Sequence, residues 1–238
     1  MTRSYTARAA VTATCADGVT RLTRLRSDGP LALREAAGAV HLVGAAAGPL
    51  GGDDLELELR VGPGARLAVR SAATAVALPG DGASRMTVRA EVGAGGRLDF
   101  APEPTVAARG CDHRAAAEIA LAGDATLRWR EELVLGRHRE PPGRHTGRFD
   151  VTVDGVALLR HELRIADRYA GPAVLGDAGA AGSVLLAGPG LGREPYAAAG
   201  LAVLPLAGPG VLITAVAADS AGLRRLLDEG EDFVTGMP

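Results

Sequence analysis

Apolar and polar residues alternate with a period of two along much of this chain. Leu55, Leu57, Leu59 and Val61 alternate with Glu56, Glu58 and Arg60. Met86, Val88, Ala90 and Val92 alternate with Thr87, Arg89 and Glu91, and Leu127 and Trp129 with Arg128 and Arg130. A strand with one face buried and the other wet produces this pattern, because successive side chains point to opposite faces. Leu67 with Val69, and Val151 with Val153, continue it. Asp154-Gly155, set between two such runs, has the composition of a two-residue hairpin turn.

The strands also repeat. Val61-Gly62-Pro63-Gly64-Ala65-Arg66-Leu67 resembles Val92-Gly93-Ala94-Gly95-Gly96-Arg97-Leu98, and Leu121-Ala122-Gly123-Asp124-Ala125-Thr126-Leu127 is a looser third copy. Each is a strand, a small-residue turn and another strand, and a copy of this kind buries its inner face by lying against the next. The pattern predicts a mostly-β, solenoid-like (β-helical) stack of short strands. A β-sandwich of similar hairpins has the same periodicity.

Helical signals are few. Over Ser220–Glu229 the residues Leu223, Leu226 and Leu227 form one stripe, Asp219 or Ser220 can cap the start, and Gly230 is positioned as the stop. Tyr196 to Ala218 is uncharged and mostly apolar, but Pro205 and Gly208-Pro209-Gly210 interrupt it. It reads as two buried strands, Leu201–Leu206 and Val211–Val216, rather than a membrane span. Left unpartnered, these strands and the leucine stripe would form a partner-sized apolar surface. The Gly-, Ala- and Pro-rich segment Gly171–Gly192 reads as a loop leading to a C-terminal lobe.

Composition narrows the functional classes. The chain has 238 residues, a formal net charge of −2, and 26 basic residues that are all arginine. The charge argues against a nucleic-acid binder. Without lysine there is no phosphate-loop NTPase and no Schiff-base enzyme. The glycine cluster Gly188–Gly192 lacks dinucleotide-fingerprint spacing, and no Gly-x-Ser-x-Gly elbow occurs. No apolar targeting segment follows Met1, so a single cytoplasmic domain over residues 1–238 is expected.

Candidate chemistry is sparse. Cys111-Asp112-His113 gathers a thiol, a carboxylate and an imidazole, which makes Cys111 and His113 candidate metal contacts, although the spacing is not that of a closed structural site. Of the neighbours Glu131 and Glu132, a strand sends one inward and one outward. Glu131 shares the face of Trp129 and Leu133, so it is expected inside, offset by Arg137 or by a water-filled passage.

The order of motifs resembles a known family. Gly48-Pro49-Leu50-Gly51-Gly52-Asp53 resembles the Gly-Pro-x-Gly-Gly-Asp segment of the urease accessory protein UreD (UreH in some lineages). Ser71-Ala72-Ala73-Thr74 is similar to its small, hydroxyl-rich segment, and Pro102-Glu103-Pro104-Thr105-Val106 to its Pro-acidic-Pro segment. Trp129 to Arg137 is similar to its aromatic-acidic-apolar-Gly-Arg segment, which ends here on Gly136-Arg137. The loop that follows, Glu140-Pro141-Pro142-Gly143-Arg144, departs from the family's Gly-Glu pair.

The resemblance implies a mostly-β solenoid with a couple of helices and no catalytic residues. It implies a scaffold that binds apo-urease and a UreF-type partner, and through it a UreG-type GTPase, so that nickel reaches the urease active site. The nickel would be held transiently and weakly, and GTP hydrolysis would belong to UreG, with no nucleotide bound by this chain. A water-filled passage through the body is the route proposed for the family, with Asp53 and Glu131 as candidates for lining or bracing it. A solenoid-type carbohydrate-active enzyme is the alternative from another class, although 3% aromatic residues make a poor sugar platform. A stand-alone metal-binding module is the third.

Overall fold

The structure, a computed structural model, describes residues 4–44, 48–166, 175–191 and 194–236. The chain opens with two hairpins, β1 (Thr6–Ala16) with β2 (Val19–Arg26), and β3 (Leu31–Ala36) with β4 (Ala39–Gly44). Three coils follow. The first is β5 (Asp54–Val61), β6 (Arg66–Ser71) and β7 (Ala75–Ala77), and the second is β8 (Ser84–Val92), β9 (Arg97–Phe100) and β10 (Thr105–Ala107). The third is β11 (Asp112–Leu121) and β12 (Thr126–Val134). A hairpin of β13 (Arg144–Val153) and β14 (Val156–Ile165) ends the stack. The C-terminal part comprises β15 (Ala180–Ala187), β16 (Tyr196–Ala198), β17 (Leu201–Pro205), β18 (Gly210–Ala217) and the helix α1 (Ser220–Thr235).

The sequence repeat is the solenoid. In the first sheet β1, β5, β8, β11 and β13 run parallel, with β2 and β14 antiparallel at its edges. Val61 pairs with Val92 and Val92 with Leu121. In the second sheet Leu67 pairs with Leu98 and Leu98 with Leu127, so the three copies lie directly on one another. Parallel register separates the solenoid from the sandwich, whose sheets are antiparallel. Both inner faces supply one apolar core, in which Trp129 stacks on Phe100 at 3.9 Å between ring centres and tilts against Phe149 at 5.9 Å. Asp154 and Gly155 both have positive φ (48° and 77°), the backbone of a type I′ hairpin, and a glycine accepts it without strain.

Three expectations require correction. The helix does not stop at Gly230 but runs to Thr235, capped at its start by Asp219, whose carboxylate accepts the Gly222 N–H at 2.7 Å. Gly230 is a contact point: a Cβ there would lie 2.5 Å from Ile213 Cγ2. The segment Gly171–Gly192 is not all loop, because it contains β15, which pairs along its whole length with β12 and β18; residues 171–174 and Gly192 lie outside the described set. The leucine stripe is not an exposed patch either. Leu223 and Leu227 are buried against β15, β17 and β18 in a second core.

Gly230→Ala tests that packing. Helix propensity favours alanine by at most about 1 kcal/mol, whereas overpacking against a fully buried isoleucine costs about 1–3 kcal/mol. A net loss of stability is expected, read as a lower denaturant midpoint with an unchanged slope.

Candidate functional site

The two sheets do not pack tightly everywhere. Near the starts of the parallel strands of the first sheet they enclose a cavity of about 850 Å³. Small residues create it. On the first sheet Ala115 pairs with Gly147, and on the second Ala181 and Ser183 face the same space. Trp129, Phe100 and Phe149 line the cavity and stand where it gives way to the packed core.

The second sheet has a gap beside this cavity. β6 ends at Ser71 and β7 begins at Ala75, while β9 ends at Phe100 and β10 begins at Thr105. β12 is continuous, pairing with β9 through Trp129 and with β10 from Leu133, so Arg130, Glu131 and Glu132 have no ladder partner on that side. Pro102 and Pro104 explain the break, because neither has an N–H to donate to a ladder. The Ser71 hydroxyl accepts the Glu103 N–H at 2.8 Å and ties the two interrupted segments together. A second hollow of about 480 Å³ lies between Glu103-Pro104 and the helix residues Ser220, Arg224 and Asp228. Thr74 and Glu103 line both hollows.

Glu131 lines the inner cavity and accepts a hydrogen bond from Trp129 Nε1 at 2.9 Å. Burial pushes its carboxyl above the usual carboxylate range, with the Trp129 hydrogen bond opposing the shift. Arg137 does not offset it. That guanidinium is exposed and holds Glu140 at 2.8 Å.

Glu132 points to the opposite face, which α1 covers, so it too is buried. Its side chain is 2% exposed and Oε1 accepts from Arg130 Nε at 2.7 Å, while Oε2 has no partner among the described residues. Arg130, 7% exposed, also donates to Asp228 at 2.5 Å and to Glu231 at 3.2 Å. Arg128 holds Glu231 with two hydrogen bonds, 2.5 and 2.8 Å, and reaches Asp99 at 3.0 Å. Arg224, on α1, bridges Glu103 at 3.0 Å and Glu132 at 3.7 Å.

A family model described as "UreD urease accessory protein" matches residues 5–234. The chain belongs to the UreD family of urease accessory proteins. It is 48% identical over 92% of its length to the urease accessory protein UreD of Parafrankia sp. strain EAN1pec, of which 85% is covered. It is 44% identical over 90% of its length to that of Frankia casuarinae, with 84% covered, and 43% identical to that of Streptomyces coelicolor, with 89% of each chain covered.

Three of the UreD motifs meet at the gap. Ser71–Thr74, Pro102–Thr105 and the Trp129–Glu132 part of the third are the three adjacent segments that frame it. The Gly-Gly-Asp motif lies elsewhere on the cavity wall. Asp53 is buried and its carboxylate accepts the N–H groups of Tyr5 and Leu50, each at 2.8 Å, so it braces the loop before β5. Gly51 is pressed against Gly80, where a Cβ would meet backbone nitrogen at 2.5 Å, and Gly52 turns the chain at φ 95°. Gly136 starts the divergent loop, which Glu140 closes by accepting from the N–H groups of Arg137 and Arg109.

That loop carries a pH prediction. The Arg137 guanidinium and these two N–H groups hold the Glu140 carboxyl down at about 2. A depressed carboxyl contributes stability that is complete above its ordinary value and lost as pH falls through the folded one. The clamp is therefore expected to persist at pH 4 and to open near pH 2. The Glu140 side-chain carbon shift in an NMR titration checks this.

Cys111 and His113 do not form the expected metal pair. Cys111 is buried in a small apolar cluster, where desolvation pushes its thiol up, and Asp112 turns outward to Arg114 at 3.7 Å. Among the described residues no group of three or more His, Cys, Asp or Glu side chains is placed to hold a metal ion. His113 instead faces the cavity beside His145, with 5.6 Å between ring centres, and its Nδ1 lies 2.8 Å from the Ser84 hydroxyl.

Local sequence marks His145 as a polar histidine flanking the Arg- and Pro-rich loop and gives Ser84 no role, although the repeat carries the signal. Asp53, Ser84, His113 and His145 each stand eight residues before the equivalent positions Val61, Val92, Leu121 and Val153. One rung of the solenoid is thus polar where the others are aliphatic. Nothing local shows that Arg130 and Glu132 are buried together, because the helix residues that cover them, Arg224, Asp228 and Glu231, lie about a hundred residues away in sequence.

Proposed function

We propose that this UreD protein is a non-catalytic scaffold of urease maturation in the cytoplasm. It binds apo-urease and a UreF-type protein, and through the latter a UreG-type GTPase, and the interior hollow conducts nickel as cargo toward urease. The observation that carries this reading is the gap in the second sheet. Three of the UreD motifs frame it, Thr74 and Glu103 beside it line both hollows, and Glu131 stands there with no cationic partner in contact among the described residues. A cation in transit needs weak oxygen donors and water in sequence rather than one tight site. GTP hydrolysis belongs to the partner, in keeping with a chain that has no lysine. Among the described residues no helix is long and apolar enough to cross a membrane.

The test is co-expression of the full chain with urease subunits and UreF- and UreG-type proteins. Co-purification and nickel-dependent urease activation that fails without this chain are expected. Full activation in its absence, with no complex recovered, would overturn the reading.

A further inference from the structure

Two histidine side chains line the cavity from adjacent strands. His113 is 3% exposed and uses Nδ1 on the Ser84 hydroxyl. His145 is 8% exposed, and its buried Nδ1 has no hydrogen-bond partner among the described residues. Buried polar atoms are normally satisfied, so an orphaned imidazole in a hollow points to a ligand that completes it. The two residues are register partners on β11 and β13, and both line the cavity.

From these positions we infer that His113 and His145 form a two-imidazole station for a borderline divalent cation such as Ni²⁺, water in the cavity filling the remaining positions. The inference rests on the conduction reading above and names the place where the cargo pauses. With metal–nitrogen bonds of about 2.0–2.1 Å, two imidazoles on one tetrahedral ion have ring centres roughly 5 Å apart. The observed ring centres are 5.6 Å apart with the rings tilted by 38°, close to that separation. Ser84 plays the part usual for a partner behind a metal-bound histidine, fixing Nδ1 so that Nε2 is presented. Gly147 leaves the approach to His145 open, since a Cβ there would lie 3.3 Å from Nε2. Burial keeps both rings in the neutral, ligating form, His113 at about 4 and His145 at about 3, so a cation displaces no proton near neutral pH. Glu131 lines the same cavity from the second sheet and is an acidic group facing the pair across the hollow.

The experiment uses the untruncated chain with no histidine tag, purified with its partner proteins where they co-purify, and Ni²⁺ alone as the probe. Equilibrium dialysis with X-ray absorption is expected to show a bound ion with two imidazole nitrogens. His113→Gln or His145→Gln should each weaken binding at least about tenfold, the loss of one of two strong donors. A reciprocal variant, His41→Gln/His138→Gln/His161→Gln, removes the other three histidines, including the exposed His161 at the cavity, and should retain affinity within about twofold when the inner pair supplies the nitrogens. Loss of the imidazole signature in that triple variant, or its absence in the parent, would overturn the site, and this arm decides even where an inner variant fails to fold. Unchanged nickel binding by a folded inner variant would overturn it too. Urease activation separates the two ideas: dependence on this chain with no imidazole-bound nickel sinks the station alone, while activation without the chain sinks the conduction reading.

Discussion

Replacing Arg130 by alanine is expected to lower the unfolding free energy by about 3–5 kcal/mol, the usual cost of removing one partner from a buried ion pair. Three acidic side chains converge on this guanidinium: Glu132, Asp228 and Glu231. Without it, Glu132 keeps only Arg224, at 3.7 Å, while its carboxylate stays almost wholly out of water. The helix face that covers it then carries uncompensated negative charge. Against a total stability of about 5–15 kcal/mol this is a large fraction. The paired replacement Arg130→Met/Glu132→Leu should lose far less, because no charge is stranded. Denaturant unfolding of both variants checks the claim, and a loss below about 1 kcal/mol for Arg130→Ala would place this cluster with ordinary surface pairs.

Glu131→Gln is expected to separate folding from function. Among the described residues no cation stands against this carboxylate, and burial raises its affinity for a proton. A carboxyl raised on folding contributes stability that is fully present below its ordinary range and lost as pH rises through the folded value. Glutamine keeps an oxygen for Trp129 Nε1 and carries no charge. The variant should therefore melt at or above the parent temperature at neutral pH, with the difference closing near pH 4. Urease activation should fall about tenfold, the equivalent of one charge-assisted contact of about 1.5 kcal/mol. Normal activation by a folded, complex-forming variant would remove Glu131 from the route. A sharply lower melting temperature would instead make it a structural group.

Much of the architecture was legible because it follows from local rules. The face a side chain takes in a strand depends only on its own backbone, so alternation located β5, β8 and β12 and placed Glu131 inside. The repeat located the coils, because copies of one unit must present matching faces to stack. The Pro-Glu-Pro segment was visible as a motif, and the missing proline N–H groups explain why β9 stops where it does. The hairpin at Asp154-Gly155 could be read from two residues.

The failures share another cause. Gly230 reads locally as a helix stop, but the side chain of Ile213 fills the space where a Cβ would stand, and the helix continues past it. Glu132 reads as an outward, solvated neighbour of Glu131. It is buried because α1, about a hundred residues later in the chain, lies across that face. His113 reads as a neighbour of Cys111, but its true companion is His145 on the adjacent strand. Sequence spacing determined which face each residue occupies, since that is a property of a few consecutive dihedral angles. What covers the face, and which polar groups meet across the hollow, was decided only when distant segments came together, because hydrogen bonds and charges act over ångströms in space regardless of separation along the chain.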